Sequence, residues 1–219
     1  MENRAFRNKQ DSYYNIEKSG IVQMIPEGPN IILDLGCAAG RLGRKLRQLN
    51  KACELVGIEI YGPAAEEAAK YYDLVHRGDI EELKLHYKEY FDFVICGDIL
   101  EHLREPWKVV TKIHEWLKDG GCLISSIPNI RYWRVLRDLL ILGKLEYTEA
   151  GILDVTHLRF FTRYTFLEML RKAGFSIDYH EMVIYGKKQD AFNKMTFGIF
   201  KEFMGSQIRV LAKKVDNKS

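Results

Sequence analysis

From Asn30 onward the hydrophobic positions follow two alternating rhythms. Near-continuous apolar runs occupy 31–35, 55–60, 91–96 and 122–127, while at 41–49, 63–72 and 106–118 apolar residues recur at helical spacing. The runs predict strands, with a weaker one at 73–77. Strands that are apolar throughout, interleaved with helices, predict a parallel sheet covered on both faces. The third helix has Pro106 at its first position and a stripe of Val109, Val110, Ile113, Trp116 and Leu117. It ends in "KDGG", where Gly120 or Gly121 can take a left-handed cap. A further helix, "TRYTFLEMLRKAGF", opens with Thr162 as cap and closes at Gly174. Strands near 175–184 and 207–213 follow, with a Phe/Met-rich helix between them. Ahead of this pattern, "DSYYNIEKSGIVQMI" predicts a helix with Tyr13, Ile16 and Ile21 on one side, ending before Pro26. No repeat or low-complexity linker interrupts the chain. The expectation is one domain over 1–219, with a helical cap (1–29), a core (30–127), an insertion (128–160) and a C-terminal part (161–219).

Composition narrows the class. At 219 residues, 47% hydrophobic and 29% charged, the chain suits one soluble globular domain. A formal net charge of +3 is too small to argue for nucleic acid, and part of it lies in the end stretches "ENRAFRNKQ" and "KVDNKS". Cys37, Cys53, Cys96 and Cys122 form no C-x-x-C pair, which fits a reducing compartment and no disulfide framework. The first ten residues are polar, and no apolar run approaches the roughly 20 residues that span a bilayer. These features lead to the expectation of a soluble cytoplasmic protein.

Chemistry enters at "IILDLGCAAGRLG", where the first strand drops into a small-residue turn two residues after Asp34. Such a turn lets a backbone approach a ligand and aims a helix N-terminus at it. By itself it is common in doubly wound proteins. A dinucleotide site asks for G-x-G-x-x-G, yet the three positions are Gly36, Ala38 and Arg41, so the third glycine is missing. The looser adenosyl-methionine turn keeps Gly36 and Gly40 with Ala38 between them, and Ala38 is expected at negative φ. Glu59, ending the second strand, can accept ribose hydroxyls. Asp79, in "RGDIEEL", can accept an adenine amine, with Ile60 and Ile80 as covers for the ring; the plainer reading of Asp79 is an Asx turn. Asp98, Glu101 and His102 follow the fourth strand, at the end where open α/β sheets bind ligands.

Together, "ILDLGCAAG", "GIE", "GDIEEL", "FDFVICGDILEHL" and "LKDGGCLISSIPN", over about residues 30 to 130, resemble the class I S-adenosylmethionine-dependent methyltransferases. The stretch "GILDVTHLRFFTRYTFLEMLRKAGF" is similar to members of that class associated with bacterial surface-polysaccharide biosynthesis. The resemblance implies a Rossmann-like α/β fold, doubly wound, with a seven-stranded, mostly parallel sheet whose last strand is antiparallel. It implies S-adenosyl-L-methionine as cofactor and a sugar or sugar-linked acceptor. It assigns the methionine part of the cofactor to Asp34, Gly36, Cys37, Ala38 and Gly40, the ribose to Glu59, and the adenine to Asp79 and Ile80. The backbone of Gly97 and Asp98 is then expected beside the reacting sulfonium.

A hydroxyl acceptor needs a base. His102 is one candidate. His157 is another, with Asp154 three residues away and able to orient it if that stretch is helical. Each also reads as a structural histidine, one capping its own loop, the other packing the insertion down. Neither has metal-ligand spacing to another His or Cys, so no metal is expected. Arg131, Arg134 and Arg137, interleaved with Trp133, Leu136 and Leu140, read as a solvated face or as a lid for an anionic acceptor such as a nucleotide- or lipid-linked sugar. Phe192, Met195, Ile199, Phe200 and Phe203 read as core or dimer packing, against a lid or a weak interfacial anchor. Two rivals accompany this reading. One is a non-catalytic module that binds the cofactor and serves a partner; the other is a nicotinamide enzyme, disfavoured by Arg41.

Overall fold

The computed structural model describes residues 19–215; Tyr13, Ile16 and the two end stretches, but for Lys214 and Val215, lie outside the described residues. Seven strands form one sheet: β1 (Ile31–Leu35), β2 (Glu54–Glu59), β3 (Leu74–Arg77), β4 (Phe91–Gly97), β5 (Leu117–Pro128), β6 (Phe175–Val183) and β7 (Gln207–Lys214). Their order is β3-β2-β1-β4-β5-β7-β6. Strands β1 to β5 pair in parallel, whereas β7 is antiparallel to both β5 and β6. The helices are α1 (Ser19–Gln23), α2 (Arg41–Gln48), α3 (Gly62–Ala68), α4 (Pro106–Trp116), α5 (Trp133–Leu140), α6 (Arg163–Lys172), α7 (Lys187–Met195) and α8 (Lys201–Met204).

The central strands are apolar on both faces because both faces are covered. Leu33, Leu35, Val94 and Leu123 pack with Val109, Val110 and Ile113 of α4 and with Phe166 and Leu170 of α6. Their neighbours Ile32, Ile95 and Ile124 pack with Ile21 and Val22 of α1 and Leu46 of α2. Helix α4 is shorter than its stripe suggests, since Leu117 leaves it to pair with Phe91 as the first residue of β5. Thr162 caps α6 through a reciprocal bond pair with Thr165, and Gly174 follows the helix at φ +92°.

The Phe/Met-rich segment departs from its core reading. It forms two short helices, α7 and α8, in which no residue is buried. Phe197, in the turn between them, is 93% exposed. All four cysteines are free thiols. Among the described residues, no helix is long and apolar enough to cross a membrane.

Asp34 shows how the first turn is held from below. Its carboxylate is buried and accepts the Tyr72 hydroxyl at 2.5 Å. Burial first, then the charge of Asp34 and the bond to it, raise the Tyr72 phenol well above its usual range, so it stays a donor. Tyr72→Phe takes one donor from a buried carboxylate and is expected to destabilise the fold by about 1–3 kcal/mol. Urea unfolding checks this; an unchanged midpoint contradicts it.

Candidate active site

A cleft of about 320 Å³ opens at the carboxyl ends of β1, β2 and β4. Its apolar walls include Ile58, Ile60, Ile80, Ile99, Leu103 and Leu158, with Glu59, Asp79, Glu81, His102 and Arg104 as polar members. The size and the few convergent polar groups are those of a small-molecule site.

The glycine turn forms one wall and is held by β2. The N–H groups of Gly36 and Cys37 both donate to the Ile58 carbonyl, at 2.9 and 3.1 Å, and Ala38 N–H donates to Glu59 Oε2 at 2.9 Å. Gly36 lies in the cleft at φ +68°. Gly40 sits at φ +79°, where a Cβ would stand 2.9 Å from Ala68 Cα, so the approach of α3 excludes any side chain. Cys37 is buried against Gly57. Ala38 corrects the sequence reading: it adopts φ +48°, the left-handed region, in the turn that its N–H bond to Glu59 holds. Ala38→Gly is therefore expected to raise stability by about 0.5–1 kcal/mol. A lowered urea midpoint would show that the turn does not carry this strain.

Glu59 spans the turn and the start of α3, since its other oxygen, Oε1, accepts Tyr61 N–H at 2.8 Å. Each carboxylate oxygen has a second lone pair, so two hydroxyls can still be met. Asp79 makes the Asx turn: Oδ1 accepts Glu81 N–H at 2.8 Å, while Oδ2 stands 3.4 Å from Arg104. Arg104, which no motif singled out, also pairs with Glu81 and Glu82 at 3.2 and 3.3 Å and closes one rim. Burial pushes the Glu81 carboxyl up, but the backbone N–H groups of Arg104 and Glu105 and then the Arg104 guanidinium outweigh it and hold it below the ordinary value. Glu59 with apolar ring covers suits an adenosine; Ile60, 66% exposed at the cleft, has room to cover a ring.

Beyond Gly97 the chain turns sharply, with Asp98 at φ +55°. Asp98 N–H donates to the Ser126 carbonyl at 2.9 Å, and its carboxylate accepts from Ser126 Oγ and, at 2.6 Å, from Gln207 Nε2. Gln207 accepts in turn from the Tyr185 hydroxyl at 3.0 Å. Burial is the main cause that raises the Tyr185 phenol.

The two histidines, far apart in sequence, meet. Their rings stand edge to face with centroids 4.7 Å apart. The insertion is stitched down at this point: Leu158 and Arg159 N–H groups both donate to the Glu101 carbonyl, at 2.8 and 3.0 Å. Residues 151–156 form turns around an isolated bridge at Asp154, and 157–160 have no regular structure, in place of the helix that would align Asp154 with His157. His157 Nδ1 instead faces the Ile152 carbonyl at 2.9 Å. The Asp154 carboxylate accepts from the Thr156 N–H and hydroxyl, at 2.8 and 2.7 Å. Because that hydroxyl donates to Asp154, it accepts from His102 Nδ1, 3.1 Å away, and the Thr156 carbonyl lies 3.1 Å from the same nitrogen. Facing these oxygens, Nδ1 of each ring is the nitrogen that donates. Asp154 acts on His102 through Thr156.

Of the three arginines, Arg131 lines a second cavity. It pairs with Glu202 at 2.5 Å beside this space of about 420 Å³, with Arg163, His180 and Lys201, near the ends of β5 and β6. His180 is held below its ordinary value by burial first, then by Arg163, Lys201 and Arg171. Arg134 and Arg137 lie over the Trp133 ring, at 5.5 and 5.4 Å.

The topology decides the class. An antiparallel β7 inserted between β5 and β6 is not the all-parallel order of a dinucleotide-binding sheet. Residues 10–180 match the family described as Methyltransferase domain. The chain belongs to that family. Its fold is shared by an S-adenosylmethionine-dependent methyltransferase from Archaeoglobus fulgidus, with a TM-score of 0.71 at 18% identity over 97% of this chain and 100% of the other. It is 29% identical over 105 residues to a ubiquinone biosynthesis O-methyltransferase of Pseudomonas entomophila, covering 45% of this chain and 44% of that protein. A namesake from Cereibacter sphaeroides is 28% identical over 150 residues, 65% and 59% of the two chains. The chain thus spans about half the length of the curated relatives it matches.

Proposed function

We propose that this methyltransferase transfers a methyl group from S-adenosyl-L-methionine to a hydroxyl of a small-molecule acceptor in the cytoplasm, the acceptor being a sugar, nucleotide-sugar or other glycan precursor. The observation that carries the reading is His102, which lines the cleft that holds Glu59 and Asp79 and has the buried His157 ring packed edge to face against it. When bound, the cofactor supplies a methyl carbon made electrophilic by a sulfonium. The chain's own part is placement, exclusion of water and disposal of the acceptor's proton. Glu59 takes the ribose, Asp79 and the Ile80 backbone take the adenine, and Ile60 covers it. Asp34, Gly36, Cys37, Ala38 and Gly40 shape the methionine end, and Gly97 and Asp98 run beside it. His102 and His157 deal with the acceptor proton, and Asp154 fixes His102 through Thr156.

Attack through oxygen is supported by the names of the relatives, which are O-methyltransferases. An anionic acceptor is supported by Arg131, Arg163 and Lys201 around the second cavity, beside the 128–160 insertion. The exposed apolar residues around Phe197 are the surface offered for homodimer pairing or weak lipid contact, which sedimentation with and without vesicles measures. Methyl transfer from labelled cofactor should be tested on nucleotide sugars, sugar phosphates on lipid carriers, and free catechols. Transfer to a sugar hydroxyl is expected. Transfer to catechols alone overturns the acceptor class, and cofactor binding without transfer to any acceptor favours a non-catalytic module.

A further inference from the structure

Glu101 is the group at the site that neither histidine assignment uses. It lies in the 3-10 turn Leu100–His102, 1% exposed, while His157 is 5% exposed. Glu101, His102 and His157 each bring one ligand atom to within 4.8 Å of the others. No sequence spacing announced this set, because the insertion carries His157 across to the β4 loop.

We propose that Glu101, His102 and His157 form a binding site for a divalent transition-metal ion, Zn²⁺ or a close relative, at the edge of the cofactor cleft. Two imidazoles and one carboxylate are a set that zinc accepts, with a fourth position left open. The second shell is in place: the Ile152 carbonyl meets His157 Nδ1, and the Thr156 carbonyl and hydroxyl meet His102 Nδ1. Those bonds engage Nδ1 of each ring, so Nε2 is the nitrogen that would ligate, and they orient the rings as metal-ligating histidines are oriented. Metal–nitrogen distances of about 2.0–2.1 Å set tetrahedral ligand atoms roughly 3.3 Å apart, so the set closes by a side-chain movement of about 1.5 Å. One carboxylate with two imidazoles suits zinc, cobalt or iron, and offers too few oxygens for Mg²⁺ or Ca²⁺.

The site deepens the methyl-transfer reading and rests on it for its use, though not for its existence. An acceptor oxygen taking the open position becomes more acidic. Its proton passes to solvent, the oxygen forms a bond to the methyl carbon as the carbon–sulfur bond breaks, and the sulfonium becomes a neutral thioether. His102 and His157 then act as ligands.

The test uses the full chain after chelation and dialysis, titrated with Co²⁺ and followed by visible ligand-field absorption. S-adenosylhomocysteine binding is measured on every sample. The expected result is one equivalent of bound Co²⁺, displaced by Zn²⁺ and not by Mg²⁺. Affinity should fall at least about tenfold in Glu101→Gln and His157→Ala, and stay unchanged in His86→Ala, which changes an exposed histidine. Half-buried His102→Ala gives the same loss with no core disturbance, should either buried variant fail to fold. No Co²⁺ absorption in the wild type, or absorption unaltered in His102→Ala, overturns the site. Metal bound at these residues without binding of S-adenosylhomocysteine keeps the site and removes the methyltransferase reading.

Discussion

Glu59→Ala is expected to weaken S-adenosylhomocysteine binding roughly 30- to 150-fold. The carboxylate closes two jobs in one group. It receives Ala38 N–H and Tyr61 N–H, and so fixes the turn after β1 relative to the start of α3. In the proposed complex it also receives the ribose hydroxyls. Hydrogen bonds to an ionised acceptor contribute about 1.5–3 kcal/mol each, and some of the loss is recovered when water enters, so about 2–3 kcal/mol is expected. Glu59→Gln retains the shape and one good acceptor and should fall between the two. Calorimetric titration measures both. Equal affinity in wild type and Glu59→Ala would place the adenosyl group elsewhere.

His102→Ala is expected to reduce turnover by about 10²–10⁴ with a hydroxyl acceptor, whether the imidazole acts as base or as ligand. Cofactor affinity should change by less than about tenfold, because His102 forms the mouth of the cleft and leaves Glu59 and the turn intact. The split between turnover and affinity is the informative readout. A variant that loses both equally has lost shape at the cleft and does not report on proton handling. A variant with full turnover removes His102 from the chemistry.

Much of the sheet was legible because burial on two faces leaves a plain record, namely apolar runs such as "IILDL" and "FVIC" ended by small or polar residues. The Thr162 cap was legible for a similar local reason, since the capping partners sit three residues apart. Long-range contacts left no such record. The meeting of His157 with His102 depends on two N–H groups of the insertion bonding one carbonyl, that of Glu101, and main-chain bonds have no sequence signature. The Asp154 assignment went astray for a related reason. Three-residue spacing means a shared face only on a helix, and this stretch forms turns, so the carboxylate reaches Thr156. At Ala38 a propensity argument lost to a specific bond with Glu59. The aromatic residues of α7 and α8 suggested a core, yet periodicity cannot say whether a neighbouring element exists to cover them. Gln207 and Tyr185 were invisible for the same topological reason: only the insertion of β7 beside β5 brings Gln207 to Asp98.

The most direct measurement is calorimetric titration of the wild-type chain with S-adenosylhomocysteine and, separately, with NAD. Saturable binding of one equivalent of the adenosyl ligand and no binding of NAD is the predicted result. Binding of NAD, or no binding of the adenosyl ligand, would contradict the assignment of this cleft to an S-adenosylmethionine-dependent methyltransferase.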